Sequence, residues 1–103
     1  MNQVAARDSI VNELNRFPLL DILRNDFFGE GFRDVARGRP FNPDFTGDRS
    51  EALHYQRGRV VAGEAWNYYR RVPQLWCETD AGSIINPQII SLAGAMFMTG
   101  AFT

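Results

Sequence analysis

Apolar residues near the N-terminus repeat with the spacing of one face of an α-helix. The first apolar stripe recurs at i, i+4 and i+7 and consists of Ile10, Leu14 and Phe17. Pro18 then interrupts the pattern, since proline fits only a kink or the first turn of a helix. We therefore predict a helical pair over residues 1–28, at about 5–17 and 18–28, with Gly29 ending the second helix.

The next segment, residues 29–49, is rich in glycine, proline and asparagine, which favour turns. Its closely spaced prolines exclude a regular helix or a central strand over much of its length. Only residues 32–37 have a composition that suits one or two helical turns. We predict a loop whose rings, Phe41 and Phe45, pack back on the core.

A capping box, Asp48 with Glu51, predicts the start of a long central helix over residues 48–72, which Pro73 stops. Aromatic and small residues share one face of this helix, namely Tyr55, Gly58, Ala62, Ala65 and Tyr69. Trp66 lies beside this stripe. The small residues in its middle predict that another helix approaches closely.

The C-terminal part is a connection over residues 73–86 followed by an apolar helix over residues 87–99. Asn86 and Pro87 suit the N-cap and first helical positions, and Gly100 suits the end of the helix. No charged residue follows Asp80. The helix is too short to span a membrane, since 13 residues rise only about 20 Å against a hydrocarbon core of ~30 Å.

Two further interpretations of residues 81–103 stay open. The segment is either the centre of the chain's own core or an apolar tail that inserts into a partner or a symmetry mate. On the second interpretation the tail and the aromatic loop bind the partner together. The partner-binding residues are then Ile89, Ile90, Leu92, Met96, Phe97, Met98 and Phe102, with Phe41 and Phe45 from the loop.

Length and composition indicate one small, mainly α domain of four or five helices, with a Gly/Pro-rich aromatic loop and an apolar C-terminal helix. The chain has 103 residues, of which 45% are hydrophobic, and a net charge of −1. The first ten residues contain no apolar run typical of a signal peptide, and the single cysteine, Cys77, excludes an internal disulfide. We expect the protein in a virion or in the host cytoplasm.

All eleven basic residues are arginines. Residues 30–75 carry eight of them against six acidic residues. Five of these arginines are candidates for binding nucleic acid or an acidic protein surface: Arg33, Arg37, Arg39, Arg57 and Arg59. The alternative is that these side chains are solvated or paired with nearby carboxylates. Arginine's planar fork suits phosphate and carboxylate recognition.

Residues suited to catalysis are few. Glu51 and His54 have the Glu-x-x-His spacing of di-iron bundles, but such sites need a second pair, and His54 is the only histidine. Cys77 has no nucleophile motif around it, and the chain contains no phosphate-binding loop. We predict a protein that is not an enzyme and has no cofactor, metal or small-molecule substrate.

One pattern resembles a known family. Gly31-Phe32-x-Asp34-x-x-x-Gly38-Arg39-Pro40-Phe41 is followed by Tyr55-x-Arg57-Gly58-Arg59-x-x-Ala62. This layout, over about residues 31–62, is similar to short bacterial and phage proteins of the ribosome modulation factor type. The resemblance implies that two helices, joined by a Pro-rich loop, bind ribosomal RNA and silence the ribosome. It also implies a phage source, because small proteins of this layout are frequent in phage genomes.

The family is strongly basic, whereas this chain is nearly neutral and adds an N-terminal helical pair and an uncharged tail. These additions favour docking to protein. We therefore predict a structural component of a larger assembly, such as a minor capsid, cement or connector-associated protein of a bacteriophage virion. An RNA- or ribosome-binding regulator is the first alternative, and a phage-encoded inhibitor of a host protein complex is the second.

Overall fold

A computed structural model describes residues 19–100. The predicted helix at 5–17, with its apolar stripe, and Phe102 lie outside the described residues. Within residues 19–100 the fold is mainly α, as predicted. The elements are α1 (Leu19–Arg24), α2 (Asp26–Ala36), a 3₁₀ turn (Pro43–Thr46), α3 (Arg49–Tyr69), β1 (Trp76–Thr79), β2 (Gly82–Ile85) and α4 (Pro87–Met98).

The predicted helix over residues 18–28 is wrong, because Asn25 divides it into α1 and the start of α2. The backbone of Asn25 is extended, and its side-chain Oδ1 accepts hydrogen bonds from the amides of Phe27 (2.9 Å) and Phe28 (3.2 Å). Asparagine competes in this way for backbone donors and caps the helix that follows. Gly29 lies inside α2 and does not end it, so the predicted loop begins only after Ala36.

The predicted start of the central helix is confirmed. The Asp48 carboxylate accepts a hydrogen bond from the Glu51 amide at 3.0 Å, and α3 begins at Arg49. The helix ends at Tyr69, three residues before the predicted end at Val72. Arg70 adopts a left-handed conformation with φ 60°, which terminates the helix before Pro73 is reached.

Helices α2 and α3 cross with their backbones in contact. A methyl group on Gly58 would overlap the carbonyl oxygen of Phe28, and one on Gly31 would overlap the carbonyl oxygen of Tyr55. Each glycine therefore faces the main chain of the other helix. The predicted close approach at the small-residue face of α3 is confirmed.

The predicted connection over residues 73–86 contains a β-hairpin that was not predicted. Strands β1 and β2 are antiparallel, and their register runs from the pair Trp76–Ile85 to the pair Thr79–Gly82 at the turn. Each strand has only four residues, too few for a clear alternation of apolar and polar positions. Gly82 has φ 110°, a conformation that glycine adopts readily.

Asn86 joins the hairpin to α4, where it is the predicted N-cap. Its Oδ1 accepts from the Gln88 amide (2.9 Å), its Nδ2 donates to the Gln74 carbonyl (2.8 Å), and its amide donates to the Leu75 carbonyl (2.9 Å). This one buried residue therefore caps α4 with its side chain and holds the base of the hairpin with its side chain and its backbone amide.

Helix α4 lies in the core of the chain itself. Its inward residues Ile89, Ala93 and Met96 are buried together with residues of α1, α2, α3 and the hairpin. The other buried core residues are Ile22, Leu23, Phe28, Phe32, Val61, Ala62, Ala65, Leu75 and Ile85. No helix within residues 19–100 is long and apolar enough to cross a membrane.

Candidate interaction surface

A buried polar cluster ties the loop after α2 to both long helices. The Tyr55 hydroxyl donates a hydrogen bond to the Asp34 carboxylate and accepts one from the Asn42 amide at 3.1 Å. Tyr55 is 0% exposed and Asp34 is 7% exposed. Because all three groups are partnered, the cluster holds the loop against α2 and α3 at little desolvation cost.

The two predicted aromatic anchors of the loop both contact Tyr55. Phe45 stacks on the Tyr55 ring at 4.1 Å between centroids, and Phe41 lies at 5.5 Å. Phe45 is half-buried, whereas Phe41 is 41% exposed. Phe41 is therefore the anchor that also presents a ring to solvent.

Two of the five candidate arginines, Arg39 and Arg59, contact each other near the Phe41 ring. The Arg59 guanidinium donates to the Arg39 carbonyl at 3.3 Å and lies 5.9 Å from the centroids of both the Phe41 and Tyr55 rings. The Arg39 guanidinium lies 3.7 Å from the Asp34 carboxylate. Arg59 is thus held over two aromatic rings, whereas Arg39 pairs with Asp34 and keeps more than half of its side chain exposed.

The other three candidate arginines lie elsewhere. Arg33 pairs with Glu30 at 3.1 Å on the surface of α2. Arg57 lies on another side of α3 from Arg59, because residues two apart on a helix point about 200° apart. Arg37 is exposed at the C-terminal end of α2. The structure thus does not gather all five on one face.

A groove lies between the C-terminal ends of α2 and α3, with a volume of about 510 Å³. It is lined by Val35, Ala36, Gly38, Gly63, Trp66, Asn67 and Val72. Trp66 is 58% exposed. Nothing lies within 4 Å of where a Gly63 side chain would point, so the groove is open at that position.

The groove and the arginine pair lie on one side of α3, because Arg59, Gly63 and Trp66 follow each other at i, i+4 and i+7. We call this side the arginine–tryptophan surface and define it by Arg39, Phe41, Arg59 and Trp66. Trp66 is not among the site residues predicted from the sequence, although its spacing from Arg59 places the two on one face.

The predicted partner-binding tail is mostly occupied by contacts within the chain. Ile89 and Met96 are buried, and Ile90, Leu92 and Phe97 pack against the same core. Met98 is the exposed member of the set, at 56%, and Phe102 lies outside the described residues. In this conformation a partner can reach Met98 but not Ile89 or Met96.

The Glu-x-x-His pair lies on the first turns of α3. Within residues 19–100 no group of three His, Cys, Asp or Glu side chains could hold a metal ion. His54 is half-buried, and its pKa is lowered from 6.5 by burial and secondarily by the charge of Arg57. Cys77 is half-buried on β1.

Stability is expected to decrease as the pH falls below 6.5, the ordinary pKa of His54. The folded state holds this pKa lower, so the unfolded chain takes up the proton first and is favoured by acid. The stability that follows from keeping His54 neutral is fully present above pH 6.5 and is lost as the pH falls through the pKa of His54 in the folded state. Urea unfolding at a series of pH values between about 7 and about 5, above most carboxylate titration, measures the effect.

The matched control is His54→Gln, which keeps a polar side chain but does not titrate. Because His54 is the only histidine, this variant should lose most of the pH dependence in that window. An equal decrease of stability in the variant would contradict the assignment to His54.

Gly31, Asp34, Arg39, Tyr55 and Gly58 come together in the fold, since all five lie at the α2–α3 crossing or on the loop beside it. Comparison with protein-family models, with curated proteins and with solved structures found no match to this chain.

Proposed function

We propose that this chain is a non-enzymatic binding component of a larger assembly and that it contacts a protein partner through the arginine–tryptophan surface. The observation that carries the proposal is the exposure of Trp66 beside an open groove. Tryptophan and arginine are enriched among the residues that dominate protein interfaces. Burying the exposed apolar surface of Trp66 under a partner would therefore favour binding.

The chemistry of the surface fits a partner with an apolar element and an acidic rim. Val35, Ala36 and Val72 provide apolar walls for the groove, and Gly63 leaves its floor open to a side chain or a short helix. The exposed parts of the Arg39 and Arg59 guanidinium groups suit carboxylates at the edge of the contact. An apolar centre with a polar rim is the usual layout of a protein interface.

The assembly that we propose is a bacteriophage virion, in which the chain is a minor capsid, cement or connector-associated protein. The resemblance to short phage proteins supports the source, and the net charge of −1 supports a protein contact over a general polyanion contact. Met98, which is 56% exposed, adds apolar surface that symmetry mates could cover.

Sedimentation of the tagged chain through a sucrose gradient tests the proposal. In an extract of the infected host, we expect the chain in heavy fractions that RNase treatment does not change. Trp66→Ala should shift it to the top of the gradient, because truncating a central interface tryptophan costs about 2 kcal/mol or more of binding energy. Since Trp66 is largely exposed, the variant should keep its fold.

Trp76→Ala is the matched control, because Trp76 is also an exposed tryptophan but lies on β1 and does not line the groove. This control should sediment with the wild-type chain. Wild-type protein that stays at the top as a small species, or heavy fractions that Trp66→Ala leaves unchanged, would contradict the proposal. The first outcome would favour an inhibitor that binds one host complex.

A second candidate is an RNA- or ribosome-binding regulator, favoured by the contact of Arg59 with the exposed Phe41 ring. Arginine beside an aromatic ring offers both a phosphate contact and a stacking platform for unpaired bases. This candidate predicts ribosome-sized sedimentation that RNase abolishes. It also predicts binding that weakens steeply with salt, with a slope reduced by about 1 in Arg59→Gln. Binding that does not respond to salt would exclude it.

A further inference from the structure

The outer face of α3, on the side away from the α2 crossing, carries large apolar side chains in water. Leu53 is 45% exposed, Val60 is 46% exposed and Tyr68 is 74% exposed. Arg57 and Glu64 lie between them along the same helix face. The spacing from Leu53 to Val60 is seven residues, close to two helical turns, so these side chains form one continuous stripe.

The charges on this stripe determine how it could pair with a copy of itself. In a parallel pair, each Arg57 would oppose Arg57 and each Glu64 would oppose Glu64, which is unfavourable. In an antiparallel pair with the two-fold axis between Val60 and Val61, Arg57 opposes the Glu64 of the second copy. The same register places Leu53 opposite Tyr68. The apolar and the charged positions therefore become complementary in one arrangement.

We propose that the outer face of α3 pairs with the same face of a second copy to form an antiparallel, two-fold symmetric dimer. An isologous contact of this kind uses one surface twice and closes on itself. Its residues do not line the groove and are not part of the arginine–tryptophan surface. The dimer thus leaves that surface free and does not depend on the function proposed for it.

Sedimentation equilibrium of the purified full chain over a wide concentration range tests the dimer. We expect a mass that rises from one chain to two with concentration. Val60→Glu should raise the dissociation constant of the dimer at least tenfold, because the substitution would bury two carboxylates beside the two-fold axis. Val60 is exposed in the single chain, so this variant should fold, as circular dichroism can verify. A single-chain mass at all concentrations, or a dimer that Val60→Glu leaves unchanged, would overturn the proposal.

Oxidative cross-linking in a Cys77→Ser background tests the register. The two copies of residue 60 would be offset by only ~1.5 Å along the helix axis, whereas the two copies of residue 67 would be about 20 Å apart. Disulfides need Cα atoms within about 7 Å. Val60→Cys should therefore form covalent dimers, and Asn67→Cys, which is also exposed on α3 but lines the groove, should not. Equal cross-linking of both variants would indicate a parallel or non-specific contact and would overturn the proposal.

Discussion

Replacing Gly58 with alanine is expected to destabilise the protein by about 3 kcal/mol or more, the upper part of the range for overpacked cores. The added methyl group would lie 2.8 Å from the Phe28 carbonyl carbon and 2.9 Å from the Phe32 amide nitrogen. Both atoms belong to a helix backbone, which cannot rotate away as a side chain can. The two helices would have to separate along their whole crossing. Urea unfolding of the variant measures the loss.

Gly63→Ala is the matched control in the same helix, because nothing lies within 4 Å of the added methyl group. This change should stabilise the protein by about 0.5–1 kcal/mol, since alanine favours a helix over glycine. Gly31→Ala should behave like Gly58→Ala, because its methyl group would meet the Tyr55 carbonyl. Equal, small effects at Gly58 and Gly63 would show that the helices do not touch at the glycines.

Replacing Tyr55 with phenylalanine is expected to cost about 2 kcal/mol, the range for leaving a buried polar group without its partner. The change removes the hydroxyl that binds the Asp34 carboxylate and the Asn42 amide. The ring stays in place, so its stacking on Phe45 is kept. Hydrogen exchange should show faster opening of the loop around Asn42, and urea unfolding gives the free energy.

Tyr69→Phe is the control for this change, because the Tyr69 hydroxyl makes a longer, exposed hydrogen bond to the Gln88 carbonyl at 3.4 Å. The loss of this hydrogen bond should cost no more than about 0.5 kcal/mol of stability.

A double-mutant comparison tests the contact between Tyr55 and Asp34. In Asp34→Asn, a neutral amide remains beside Tyr55, so adding Tyr55→Phe should cost less stability than it does in the wild type. Additive effects would mean that the two side chains do not interact as the structure places them.

Local capping chemistry made several elements predictable from the sequence. Asp48 and Asn86 each supply an oxygen to the first amides of a helix, and both helices begin where that chemistry requires. The face around Gly58 was predicted to admit another helix closely, and the α2–α3 crossing confirms it. These features depend on residues close together in the chain or on one face of one helix.

Several other features were not predicted from the sequence. Gly29 was predicted to end a helix, but it is buried inside α2, and the helix breaks earlier, at Asn25, which caps α2. The hairpin strands are too short for periodicity to show. Trp66 could be assigned to a helix face, but its exposure depends on where α2 ends, which the sequence did not reveal.

The most direct test of the proposed interaction surface is oxidative footprinting of the two tryptophans in the heavy gradient fraction and in the isolated chain. Trp66 lines the groove, whereas Trp76 lies on β1 and does not, so the second is an internal control of the same chemistry. We predict that assembly slows the oxidation of Trp66 several-fold and leaves that of Trp76 unchanged. Oxidation of Trp66 at the same rate in both samples would contradict the assignment of the arginine–tryptophan surface to the partner.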